Sequence, residues 1–447
     1  MVTRRTVLGT AAALAAATSL PAAAAAPPAA FVRREGTRLT LDGKPYRFAG
    51  ANLWYGAWLG ASAEFGNRDR LARELDALAA MGVANLRILA SAETSPLKNS
   101  VRPGFRDRGN VWNPALLDGL DHCLAEMAKR NMKAVLYLTN FWEWSGGMMT
   151  YLYYVTGKYM DANDPAHPWP AFANATAQFY ANPKAVALYD DWVRAIVGRA
   201  NGVTGTAYRD DPTIMAWQLA NEPRPAGDAA TAAPLLPAFH AWIQGTARLI
   251  KSIDRNHLVS TGSEGLKGSV ESADIFRKTH AFPEIDYLTT HIWPLNWSWV
   301  DAKDIPGTHA AATAKVAEYL QQHQALAREI GKPLVIEEFG YPRDGGGYDP
   351  EASTHFKDLY YQQIYDAVLN SVRTGGPVAG SNFWAWNGAG RAVHGDHRFR
   401  PGETAWLGDP PHEPQGWYGV FDSDASTRAV IAAHAKALAT VGEPIAS

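Results

Sequence analysis

The sequence predicts a (β/α)8 barrel, a TIM barrel with long insertions on its C-terminal face, and three observations carry that expectation. Short apolar runs alternate eight times with longer amphipathic ones. The runs are apolar throughout, as strands covered on both faces are. No G-x-G-x-x-G or G-x-x-x-x-G-K-[ST] fingerprint follows the first run, as an open dinucleotide- or nucleotide-binding sheet would require.

The eight candidate strands are YRFAGANL (46–53), NLRIL (85–89), KAVLYL (133–138), IMAWQLA (214–220), HLVST (257–261), DYLTTH (286–291), PLVIEE (333–338) and SNFWAW (381–386). Helical candidates lie between them at 68–82, 239–254, 310–331 and 354–372. In the first of these, Leu71, Leu75, Leu78 and Met81 fall at helical spacing and Gly82 is the stop. A hairpin turning at Asp42 and Gly43 is expected to cap the barrel bottom. A barrel needs about 250 residues and the chain has 447, so the surplus belongs in insertions. The largest are 140–183, rich in Tyr and Trp, and 391–419; both follow strands.

The first thirty residues carry Arg4 and Arg5 and then an Ala-rich stretch ending in small residues. This is expected to be an export signal of twin-arginine type, with residues 31–447 as one catalytic domain and a secreted or periplasmic destination. Lys plus Arg total 42 against 44 Asp plus Glu, so no basic field suited to nucleic acid is present. No later run has the roughly 18 unbroken apolar residues of a membrane span, and a monomer is expected. The single cysteine, Cys123, leaves no internal disulfide and reads as packing.

In a barrel, residues just beyond the strands converge on one cleft. Nine of the sixteen tryptophans stand there, among them Trp54, Trp142, Trp293 and Trp384. An indole face suits the apolar C–H face of a pyranose ring. Asn140, Asn221, Arg87 and His291 are polar candidates in the same positions. Two carboxylates on separate strands, Glu222 and Glu338, form the pair that glycoside hydrolysis needs, about 5–5.5 Å apart in a retaining enzyme. Their repulsion is expected to raise the pKa of the acid, while Arg87 holds the other ionised. Glu337 points away from Glu338 by strand alternation. No H-E-x-x-H or similar cluster surrounds His291, so neither metal nor cofactor is expected.

DDPTIMAWQLANEPR (210–224) and LVIEEFG (334–340) resemble glycoside hydrolase family 5 in its β-mannanase branch. The likeness extends through EWSGGMMTYL (143–152), 179–212 and 249–265. It implies that Glu222 is the acid/base, Glu338 the nucleophile, Asn221 the ligand of the sugar 2-hydroxyl, and Trp384, rather than Trp386, the floor of the −1 subsite. Arg87 and His291 match the family's strand 2 arginine and strand 6 histidine. Two positions depart: Trp293 stands where many members have a tyrosine that bonds the nucleophile, and Gln218 where plant mannanases often have Glu. The implied activity is retaining cleavage of β-1,4-mannosidic bonds, most simply by an endo-1,4-β-mannanase. The alternatives are an exo-acting β-mannosidase or mannobiohydrolase, a β-1,4-glucanase, or a carbohydrate-binding protein without catalysis.

Overall fold

The structure, a computed structural model, describes residues 30–162 and 164–441. The expected export signal at 1–30 lies, but for its last residue, outside them. Eight parallel strands form the barrel: β1 (Phe48–Asn52), β2 (Asn85–Leu89), β3 (Lys133–Tyr137), β4 (Ile214–Gln218), β5 (Leu258–Ser260), β6 (Leu288–Ile292), β7 (Leu334–Phe339) and β8 (Val378–Phe383). Their order in the sheet is β5-β4-β3-β2-β1-β8-β7-β6. A parallel bridge between Ser260 and Tyr287 joins the two ends of that order, and the Asp286 amide donates to the Val259 carbonyl at 2.7 Å. The ring is thereby closed and no strand edge is left to solvent.

Each strand feeds a helix on the outside: α1 (Arg68–Ala80), α2 (Pro114–Ala128), α3 (Pro183–Val197), α4 (Ala229–Ile253), α5 (Ala273–Ala281), α6 (Ile305–Ile330), α7 (His355–Arg373) and α8 (Ala425–Thr440). The starts are set by caps. Asn67, Asn113, Asn182, Asp228, Ser272 and Asp304 each accept a hydrogen bond from a first-turn amide, and Pro114 and Pro183 stand just inside. α4 begins at Ala229, well before the expected 239, because Asp228 caps it there; Pro234 and Pro237 are accommodated within it.

The expected strand at 381–386 is instead β8, Val378–Phe383. Its early residues carry little apolar bulk because Gly380 faces Phe48 on β1, where a Cβ would meet the ring at 2.8 Å. Trp384 consequently falls just past the strand, and Trp386–Gly388 forms a separate short strand paired with Val420–Phe421.

At the barrel bottom the expected hairpin is present. Arg38–Leu41 pairs antiparallel with Lys44–Pro45 across Asp42 and Gly43, whose φ values of 53° and 70° suit a tight primed turn. Its Leu39 joins Val32, Phe48, Val135, Met215, Leu258 and Val335 in an apolar plug. Cys123 is buried, and burial pushes its thiol up to about 12, as an inert packing residue requires. Among the described residues no helix is long and apolar enough to cross a membrane.

Candidate active site

The upper ends of the strands surround a cleft of about 840 Å³ lined by Trp142, Asn221, Glu222, Trp293, Glu338 and Trp384, among others. β4 delivers Glu222. Regular pairing ends at Gln218, and Glu222 takes φ 49°, a left-handed conformation that a non-glycine residue adopts only where its surroundings impose it. Its amide donates to the Gly262 carbonyl at 2.9 Å, and Pro223 prevents the strand from resuming. β7 delivers Glu338 at a shift in pairing register between Thr290 and His291, so that His291 of β6 stands beside it.

The two carboxylates face each other with His291 between them. One oxygen of each and a His291 nitrogen all lie within 4.8 Å of one another. Glu222 Oε1 is 2.6 Å from His291 Nδ1, and Oε2 accepts from Trp142 Nε1 at 2.5 Å. Glu338 Oε1 accepts from Arg87, and Oε2 stands 3.2 Å from the same His291 Nδ1. Three such donors would offer a cation a foothold. The carboxylates are instead engaged by N–H groups, and the Arg87 guanidinium in direct contact repels a cation, so the set suits proton chemistry better than metal binding.

Arg87, fully buried, ties four strands together. Its Nε donates to Gln218 Oε1 at 2.8 Å, Nη1 to Asn52 Oδ1 at 3.2 Å and to Glu338, and Nη2 to Asn221 Oδ1 at 2.8 Å, while its plane lies 4.3 Å from the Tyr137 ring centroid. Burial opposes its charge, but Glu337 and Glu338 outweigh that and raise its pKa. Glu337 is the partner on the other side of the fork: its Oε2 is 3.4 Å from Arg87 Nε and it accepts from Gln218 Nε2 at 2.6 Å. The amide of Gln218 thus bridges the two, accepting from Arg87 and donating to Glu337. With Trp293 in the position where a tyrosine was looked for, Glu338 is oriented by Arg87 and His291.

The expected rise in the pKa of Glu222 is not found. Burial raises it, but the hydrogen bond and charge of His291, then Arg224 and Trp142, outweigh burial and bring it down to about 2. His291 moves the other way. Burial lowers its pKa, yet Glu338 and the bonds to Glu222 and Glu337 carry it well above the ordinary value. Both shifts favour the charge-separated form of this pair, a protonated His291 against an ionised Glu222, across one short hydrogen bond.

Not all the sequence candidates reach the cleft. Trp54 is 1% exposed, donates to the Gly408 carbonyl at 2.9 Å, and packs edge-on against Trp58, Trp144 and Trp406 beneath the floor. It is a packing residue, since a strand-end position alone does not decide which way a bulky ring turns. Asn140 is also fully buried; it accepts from Asn221 Nδ2 at 3.1 Å and from the Trp142 amide at 3.0 Å, so it positions both. Trp386 donates to Glu74 at 2.5 Å, away from the cleft. Trp384 and Trp293 do line the cleft, ring centroids 6.0 Å apart at 83°.

Of the other lining residues, Arg224 and Glu264 stand just past the fourth and fifth strands, where the sequence also points to the cleft, whereas those from the two insertions had no signal beyond their place there. Trp169 and Phe172 flank Trp142 on one wall. His412 and Glu413 enter from 391–419, and Arg224 pairs with Glu264, whose carboxyl burial pushes up to about 7.

Comparison with known proteins fits this geometry. A family model described as glycoside hydrolase family 5, β-mannosidase-like, matches residues 29–443. A rice protein (Oryza sativa subsp. japonica) named putative mannan endo-1,4-beta-mannosidase 9 is 30% identical over 415 residues, covering 90% of this chain and 88% of its own. The solved family 5 mannosidase of Rhizomucor miehei superposes with a TM-score of 0.84 at 34% identity, over 92% of this chain and 98% of its own. An endo-1,4-beta-mannanase of the same fungus, at 23% identity and TM-score 0.67, shares the fold. The chain belongs to glycoside hydrolase family 5, in its β-mannosidase-like group, and is a glycoside hydrolase.

Proposed function

We propose that this enzyme cleaves β-1,4-mannosidic bonds with retention of configuration. Glu338 attacks the anomeric carbon while Glu222 protonates the departing oxygen; the resulting mannosyl-enzyme is then hydrolysed by a water that Glu222 deprotonates. The observation that carries the reading is the closeness of the two carboxylates across one cleft, with oxygens within 4.8 Å, too near for the water that an inverting enzyme must fit between them. His291 supplies the proton that Glu222 needs: as a sugar fills the cleft and displaces water, the proton passes along the 2.6 Å hydrogen bond. Asn221, held by Arg87 and Asn140, meets the 2-hydroxyl, and Trp384 carries the ring face. Arg87 and Asn140 act from behind as positioning residues.

Mannose as the sugar is supported by the names of the relatives, which are mannan endo-1,4-beta-mannosidases in rice, tomato and Arabidopsis, and by a mutant of the Rhizomucor enzyme solved with mannosyl-fructose. Those names favour attack within the chain. Exo attack is a second reading, favoured by His412 and Glu413 standing in the cleft. We also propose that residues 1–30 direct export and that the remainder acts as a monomeric catalytic domain.

The test is chemical. An aryl β-mannoside followed by proton NMR should release β-mannose first. Glu338→Ala should lose hydrolysis and, given azide, form α-mannosyl azide. Release of α-mannose first, or unchanged turnover in Glu338→Ala, would refute the assignment.

A further inference from the structure

Glu337 is a third buried carboxylate at the site, and the reaction above gives it no part. Regular alternation would turn it away from Glu338. The β6–β7 pairing prevents this: Thr290 stands opposite Ile336 and His291 opposite Glu338, so Glu337 is skipped as the extra residue of a bulge. A bulge re-aims a side chain, and here the carboxylate comes to lie beneath the catalytic pair. It is fully buried, accepts from Gln218 Nε2 at 2.6 Å on both oxygens and stands 3.4 Å from Arg87 Nε. Its Oε2 is 3.7 Å from His291 Nε2.

Both nitrogens of the His291 ring therefore face carboxylates. Nδ1 faces Glu222 Oε1 at 2.6 Å and Glu338 Oε2 at 3.2 Å; Nε2, buried and without a hydrogen-bond partner, faces Glu337. A neutral ring would turn a bare lone pair on one of these acceptors in a dry interior, whereas an imidazolium is a donor at both nitrogens. The charge count agrees. Glu222, Glu337 and Glu338 stand against the one guanidinium of Arg87, and a proton on His291 reduces the excess from two negative charges to one. The other titratable groups packed on this cluster leave that count unchanged. Glu264 is paired with Arg224. Burial raises the phenols of Tyr137 and Tyr287 and the carboxyl of Glu413 and lowers His412 to about 4, so all four are neutral.

We propose that Glu337 is a positioning residue: from beneath the site it fixes the His291 ring through Nε2 and holds on that ring the proton that Nδ1 passes to Glu222. The inference rests on the acid/base reading of Glu222 above and adds where the proton is kept. When Nδ1 gives its proton to the Glu222 carboxylate, the ring is left neutral with its remaining hydrogen on Nε2, the tautomer that an acceptor at Nε2 selects. A glutamate at 218 would set a fourth buried carboxylate against Glu337; Gln218 instead donates to both its oxygens.

The test is nitrogen-15 NMR of histidine-labelled protein without substrate, with His291→Asn assigning the signals, beside the pH dependence of kcat/KM on an aryl β-mannoside. Wild type should keep both His291 nitrogens protonated at about pH 8, where an ordinary histidine is neutral, and should lose Nδ1–H first. An opposite charge within about 4–6 Å moves a pKa by about 1–3 units. Glu337 is shared with Arg87, so Glu337→Gln should lower the His291 midpoint, and the basic limb of kcat/KM with it, by about 1–2 units. Glu337→Asp, which keeps the charge, should restore most of both. A neutral His291 in wild type at about pH 8, or loss of Nε2–H first, overturns the proposal even if Glu337→Gln does not fold. An unchanged midpoint in that variant, or a rate lost equally at every pH, would make Glu337 a structural partner of Arg87 and overturn it too. The spectra need no turnover, so these failures leave the mannosidic reading standing. If wild type cleaves no mannoside, that reading fails and this proposal with it, whatever the spectra.

Discussion

Replacing Arg87 with Met tests the centre of the site. The guanidinium is fully buried and touches Asn52, Gln218, Asn221, Glu337 and Glu338, which come from β1, β4 and β7. Removing one partner of a buried ion pair costs about 3–5 kcal/mol, because the abandoned charge stays buried. Here two carboxylates are abandoned, so the upper part of that range is expected. Unfolding entropy near 2.1 cal/mol/K per residue over about 410 described residues is roughly 0.9 kcal/mol/K. The melting temperature should therefore fall by about 4–6 °C. Calorimetry of wild type, Arg87→Met and Arg87→Lys at one scan rate reads this out. Arg87→Lys, which keeps the charge but loses the fork, should melt between the others while its kcat/KM falls about 100-fold through misplacement of Glu338. A melting temperature of Arg87→Met within 1 °C of wild type would refute the account of Arg87 as the tie between strands.

Trp54→Phe should lower stability by about 1–3 kcal/mol, as a shape change in a packed core does, and leave KM for manno-oligosaccharides within twofold; a tenfold rise in KM at unchanged melting temperature would make Trp54 a subsite residue. Gly262→Ala places a Cβ 1.9 Å from the Ala220 carbonyl oxygen at φ +74°, and the Gly262 carbonyl holds the Glu222 amide. The variant should lose at least about 2 kcal/mol and most of its activity together, as melting and initial rates will show. The Glu222–His291 pair also sets a pH window. Glu222, lowered in the fold to about 2, stabilises above its unfolded pKa near 4.3, and this is lost as pH falls toward 2. His291, raised in the fold, stabilises fully below about 6.5, and this is lost as pH rises through its folded value. Urea midpoints should therefore fall between about pH 4.5 and 2 in wild type, and fall less in Glu222→Gln; equal slopes would refute the pairing.

The barrel was legible because each strand is a short apolar run and the helices between them show an amphipathic period, six of the eight starting at a capping side chain. β2 has the bounds that the pattern predicts, and β3 and β4 differ only at their ends. β8 was misplaced because Gly380 and its small neighbours carry no bulk, and their reason, the Phe48 ring on β1, is remote in sequence. Glu222, Glu338, Asn221 and Trp384 were legible as strand-end residues of types suited to sugar chemistry. His412, Glu413 and Trp169 were not, since nothing local distinguishes an insertion residue that folds into a cleft from one that faces water.

By itself the sequence determined the alternation of strands and helices, the turn at Asp42 and Gly43, and which carboxylates end up at strand ends, because these follow from periodicity and local backbone preference. Only the tertiary structure decided that Trp54 packs under the floor while Trp384 faces the cleft, that Glu222 is held ionised beside His291 when a raised pKa was expected, and that His291 joins Arg87 in orienting Glu338. These depend on distances between residues that lie tens to hundreds of positions apart, and both steric fit and Coulomb interaction are functions of distance in space, not along the chain.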